Sequence, residues 1–173
     1  MDMQSQKYQS ARTEAEKLYA SFGKEKCPAL NNEFVYFTSE GFNHLVYQTK
    51  KKPRDERVQI TKFSLLSKAK QLLAISTTYQ EYEEDIKPVK VRRHKKILHE
   101  SALIKYWGLI AIIGKTRIKV VVRQTGDGKK EFYSVIPAWV ARNYREIKLI
   151  ENTVRGGLID EDDAETLKNA TEK

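Results

Sequence analysis

Only one cysteine, Cys27, occurs in the 173-residue chain, so no internal disulfide can form. A lone thiol points to a reducing compartment, the cytoplasm. No long apolar run is present either. The longest, Tyr106 to Ile113, is far short of the ~20 residues of a spanning helix. Met1 to Phe22 is polar and charged, without the apolar core of a secretory signal. The three histidines, His44, His94 and His99, lack HxxxH spacing, and no CxxC pair exists, so neither a metal site nor a cofactor is expected. Walker, GxSxG and HExxH motifs are absent. Gly126-Asp127-Gly128 reads as a turn, and Cys27 lies in a proline-containing linker with no histidine near it in sequence.

What is present in excess is positive charge. Lys and Arg number 32 against 23 Asp and Glu, a formal net of +9. The split is uneven. Residues 151–173 hold seven acids and three bases, net −4, so residues 1–150 carry +13. A body that basic repels itself and suits a polyanionic partner, with RNA the first candidate. The acidic segment 158–165 could fold back on the basic face, or be a solvated tail.

Periodicity separates two halves. Tyr8, Ala11, Ala15, Leu18 and Phe22 give residues 6–22 a helical stripe that Gly23 can end. Phe34–Phe37 is a short β-type run, after which Thr38 or Ser39 caps a helix to about Gln48. Pro53, Asp55 and Glu56 open a long helix running to about Ser76. Four extended segments follow: a basic one at 89–99, then 102–113, 116–124 and 131–136, with a further short helix at 138–148. The order predicts an α+β two-layer sandwich: an antiparallel sheet of four to five strands, with helices packed on one face. The chain divides as an N-terminal helix and linker (1–30), the α+β domain (31–148) and an acidic tail (149–173).

Gly114-Lys115 suits a two-residue hairpin loop, which pairs Ile113 with Thr116. Trp107, Leu109 and Ala111 then share a face with Val122, Val120 and Ile118. The opposite face carries Tyr106, Gly108, Ile110, Arg117, Lys119 and Arg123. The next register places Tyr133 beside Val121 and Glu131 near Arg123, and completes the core face with Phe132, Ser134 and Ile136. Cations can hold phosphates and tyrosine rings can stack bases. The same face also fits an ordinary solvated surface. Val91 to Lys96, with Arg92, Arg93, His94, Lys95 and Lys96, puts cations on both sides of one strand. That suits an anion, or an edge strand guarded by charge.

Histidine, lysine, arginine and tyrosine suffice for RNA cleavage. A base takes the 2′-hydroxyl proton, cations stabilise the phosphorane, and an acid protonates the leaving 5′-oxygen. His44 is the best acid–base candidate, since its ordinary pKa lies near neutrality. It equally suits a helix-packing histidine. His99 reads as structural, at a turn beside Glu100-Ser101.

The order of elements over roughly residues 33–140 resembles the barnase/EndoU/colicin/RelE-like superfamily of metal-independent RNases, in its phage and mobile-element branches. His44 in Gly41-Phe42-Asn43-His44-Leu45 resembles the helix histidine of the phage-type members. Ile118–Gln124 and Phe132–Pro137 resemble their late strands. The resemblance implies acid–base or phosphate-binding roles for Lys95, Lys119, Arg123 and Tyr133. The expectation is therefore a metal-independent endoribonuclease, a toxin or mobile-element effector. His44, Lys95, Arg123 and Tyr133 would be catalytic, and Arg92, Arg93, Lys96, Tyr106, Arg117 and Lys119 would bind RNA. The alternatives are a noncatalytic RNA- or DNA-binding protein on the same scaffold, and an interaction module whose basic face takes an acidic protein or antitoxin. No membrane is expected as a partner.

Overall fold

The computed structural model describes residues 3–49 and 52–137. The expected helix at 138–148 and the acidic tail lie outside the described residues. The fold is α+β. Helix α1 (Met3–Phe22) leads through β1 (Lys24–Cys27) and a 3-10 turn (Pro28–Leu30) to β2 (Glu33–Tyr36) and α2 (Ser39–Val46). Two short strands, β3 (Tyr47–Thr49) and β4 (Lys52–Pro53), pair with each other. Helices α3 (Glu56–Ser64) and α4 (Leu66–Ile75) precede four long strands: β5 (Glu81–Arg93), β6 (Lys96–Ile113), β7 (Thr116–Thr125) and β8 (Lys130–Pro137). The main sheet has six strands in the order β1-β2-β8-β7-β6-β5. It is mixed rather than antiparallel, because β2 runs parallel to β8 over two residue pairs.

The helices cover one face, and Trp107, Leu109, Val120 and Val122 are all buried there. The β6–β7 register is the expected one, from Ile113↔Thr116 to Tyr106↔Arg123. Helix α1 belongs to the same core through Tyr8, Ala15, Tyr19 and Phe22. Tyr19 takes the place expected for Leu18, which is exposed. Strand β1 was not expected. Its sequence, Lys-Glu-Lys-Cys, buries only Cys27 and so carries no apolar alternation.

The expected long helix is broken at Leu65. The Ser64 hydroxyl donates to the Thr61 carbonyl at 2.7 Å, which is the acceptor a continuous helix would offer Leu65. The Leu65 N–H bonds Lys62 O instead. The basic segment 89–99 is also not one strand. His94 and Lys95, at φ 48° and 66°, form a tight turn between β5 and β6, the left-handed geometry of a two-residue hairpin loop. His99 therefore lies within β6, not at a turn. Strand β5 is an edge, and its charges on both faces need no anion there.

Strand β8 carries a bulge. Val122 faces Phe132 and Val121 faces Ser134, so Tyr133 is the extra residue. Beyond it the faces shift. Phe132 and Val135 point into the main core, whereas Ile136 packs on Val58 of α3. The expected trio of Phe132, Ser134 and Ile136 is thus corrected. Ser134 instead accepts from the fully buried Lys62 Nζ at 2.9 Å, which also donates to Val135 O at 3.1 Å.

Because β2 pairs with β8 only at residues 130 and 131, α2 takes over the edge beyond. Gly41 makes this possible. A Cβ there would collide with the Phe132 carbonyl and the Tyr19 hydroxyl. Gly41→Ala should cost about 1–3 kcal/mol of stability, as overpacking does, read by denaturant unfolding.

Candidate active site

Helix α2 has two functional edges. Leu45 and Val46 enter the core, while Glu40 and His44, four residues apart, lie together toward the face opposite the helices. The Thr38 side chain caps the helix by accepting from Gly41 N, and the Thr38 carbonyl accepts from the Tyr19 hydroxyl at 2.9 Å. At the other end the buried Arg54 donates from Nε to the His44 carbonyl at 3.1 Å. The helix is thereby tied at its start to α1 and at its end to Arg54.

The bulge delivers Tyr133 to this place. Its ring stacks on the His44 ring with centroids 3.9 Å apart and planes 30° apart. The Arg123 guanidinium lies 4.8 Å from the Tyr133 ring centre, in cation–π contact. Tyr106, paired with Arg123 across the strands, meets Tyr133 edge-on at 5.7 Å. Arg123 Nη2 pairs with Glu40 at 3.1 Å and Glu131 at 3.2 Å, while its Nε is buried without a hydrogen-bond partner. Four elements, α2, β6, β7 and β8, thus bring His44, Tyr106, Arg123 and Tyr133 to one spot.

Burial pulls the Arg123 pKa down, but the charges of Glu40 and Glu131 outweigh it and the net shift is upward. The guanidinium stays charged. Burial raises the Tyr106 pKa against the opposing pull of Arg123, so its phenol stays protonated. Glu40 is two-thirds exposed, so its ion pair with Arg123 is weak and an incoming anion can displace it.

Two clefts flank Arg123 and share it with Glu40. One, of about 720 Å³, lies along α2 and includes His44, Tyr133, Asn43 and Gln48. The other, of about 660 Å³, lies under the β5–β6 hairpin and includes Val89, Lys90, His99 and Lys129. The hairpin bends over this face, since Val89 packs on the cluster of Ile104, Tyr106 and Val121.

The remaining expected site residues lie elsewhere. Lys95 sits in the hairpin turn and Lys96 and Arg92 beside it, all exposed and lining neither cleft. Arg93 ends β5 next to them. Arg117 lies six residues up β7 from Arg123, roughly 20 Å along the strand. Lys119 is 1% exposed and its Nζ pairs with Glu81 at 2.6 Å, so it offers phosphate nothing. Glu40 was missed by sequence reasoning, although its spacing from His44 was a signal.

Among the described residues, no three His, Cys, Asp or Glu side chains gather as a metal-binding group. No helix among them is long and apolar enough to cross a membrane. Comparison with family models, curated proteins and solved structures finds no match to this chain.

Proposed function

We propose that this protein is an endoribonuclease that cleaves RNA by attack of its own 2′-hydroxyl, without a metal ion. The observation that carries the reading is the convergence of His44, Arg123 and Tyr133 from three elements, with Glu40 on the same guanidinium. The scissile phosphate displaces Glu40 from Arg123, which then holds two phosphate oxygens. The freed Glu40 carboxylate takes the 2′-hydroxyl proton as O2′ bonds phosphorus. His44, protonated, gives its proton to the 5′-oxygen as the P–O5′ bond breaks. Tyr133 orients the imidazole by stacking. The products are a 2′,3′-cyclic phosphate and a free 5′-hydroxyl. Lys95 and Lys119 have no part in this chemistry.

The resemblance in element order and in the His44 segment to metal-independent phage and mobile-element RNases fits the same reading and extends it to a toxin-like role in the cytoplasm, where the buried Cys27 thiol would stay reduced. Under that role an acidic antitoxin is the fitting protein partner.

Incubating the protein with total RNA in excess EDTA tests the reading. Fragments ending in 2′,3′-cyclic phosphate are expected. Salt-dependent binding without cleavage would overturn catalysis and leave a nucleic-acid-binding protein.

A further inference from the structure

The two clefts beside Arg123 differ in chemistry, and the difference has a consequence for substrate. From the geometry we infer that the site takes a single-stranded dinucleotide step, reads the base 3′ of the scissile bond in the α2 cleft, and holds the 5′ nucleoside without reading it under the β5–β6 hairpin. This rests on the proposed RNA-cleaving reading.

Both clefts share Arg123 and Glu40, and each lies within the ~300–1,000 Å³ usual for small-ligand sites. A phosphate on the Arg123 guanidinium therefore has one nucleoside-sized space on either side. A paired duplex cannot fill both, because its bases are stacked inward; splayed single-stranded bases can.

The polarity follows from the proton transfers. His44 borders the α2 cleft alone, and it protonates the leaving 5′-oxygen. The nucleoside that leaves, on the 3′ side, therefore sits in the α2 cleft. The nucleoside bearing the attacking 2′-hydroxyl sits in the hairpin cleft, still beside Glu40, which borders both.

The walls then assign the reading. The α2 cleft carries the exposed side-chain amides of Asn43 and Gln48. Each amide offers a donor beside an acceptor, the pattern that matches a base edge. The hairpin cleft offers the half-buried Val89 as apolar surface, the exposed ring of His99, and the cations Lys90 and Lys129. Flat apolar and aromatic surfaces take any base by stacking, and cations take the next phosphate.

The test measures binding of all sixteen 2′-deoxy dinucleotides, which cannot react, and of the four 3′-mononucleotides. Affinity is expected to vary about 5–100-fold with the 3′ base and little with the 5′ base. Asn43→Ala/Gln48→Ala should flatten that variation. His99→Ala should weaken all sixteen alike, by about fivefold or more. All three side chains are exposed, so the variants should fold; a thermal melt checks this. Discrimination at the 5′ base, discrimination that survives the double replacement, or dinucleotides binding no tighter than 3′-mononucleotides would overturn the inference even if RNA is cleaved. If the binding pattern holds but the ribodinucleotides stay intact, the cleavage reading fails and the two subsites stand.

Discussion

A His44→Ala protein is expected to cleave RNA about 10²–10⁴-fold more slowly than the wild type while binding it nearly as well. The imidazole is an acid at the leaving oxygen, and its loss removes proton transfer without removing a phosphate contact. Stacking on Tyr133 at 3.9 Å orients the ring, so Tyr133→Leu should show part of the same defect with the histidine still present. Single-turnover kinetics at saturating protein separates rate from binding. Glu40→Gln keeps the shape of the side chain and removes the base, so it should slow cleavage by about 10²–10⁴-fold. A folded His44→Ala protein that cleaves at full rate would sink this assignment.

Arg123 differs in kind, because it acts on both binding and rate. It is held between the Tyr133 ring and the carboxylates of Glu40 and Glu131, with its Nε buried. Arg123→Lys keeps the charge but loses the planar fork. It should weaken RNA binding and slow cleavage together, the rate by about 10²–10³-fold, as loss of a transition-state donor does. A lysine protein indistinguishable from wild type would mean that the guanidinium is only a structural partner of the two glutamates.

What could be read before the structure was seen depends on how local the governing physics is. Gly114-Lys115 announces a two-residue loop, and the β6–β7 register follows by pairing alone. Tyr106, Arg123 and Tyr133 could therefore be set together, with His44 proposed from its chemistry. The β5–β6 turn was missed because His94 and Lys95 take positive φ with no glycine or asparagine to signal it. The bulge at Tyr133 was invisible because period two assumes an unbroken ladder. Glu40 was given no role, since only the closed fold brings Arg123 to it. Lys119 was misread for a different reason. Alternation says which face a side chain takes and nothing about what lies over it, and there Glu81 lies over it.

That ion pair sets a large effect on stability. Lys119 Nζ and Glu81 Oε2 are 2.6 Å apart, with side chains 1% and 9% exposed. They belong to β7 and β5, which are separated by β6. The residue of β6 opposite Glu81 is Gly108, which carries no side chain. Glu81→Ala would leave an ammonium buried with its main counter-charge gone, at a cost of about 3–5 kcal/mol. In a chain of this size that lowers the melting temperature by about 6–20 °C. Replacing both partners, Glu81→Leu with Lys119→Met, should recover most of the loss, because no charge then remains to be desolvated. The double variant also separates structure from binding. If Lys119 serves only Glu81, the slope of RNA affinity against salt stays at the wild-type value, since no phosphate contact is lost. A shallower slope in a stable double variant would return Lys119 to the phosphate-binding set, and a single variant as stable as wild type would show that water reaches the pair.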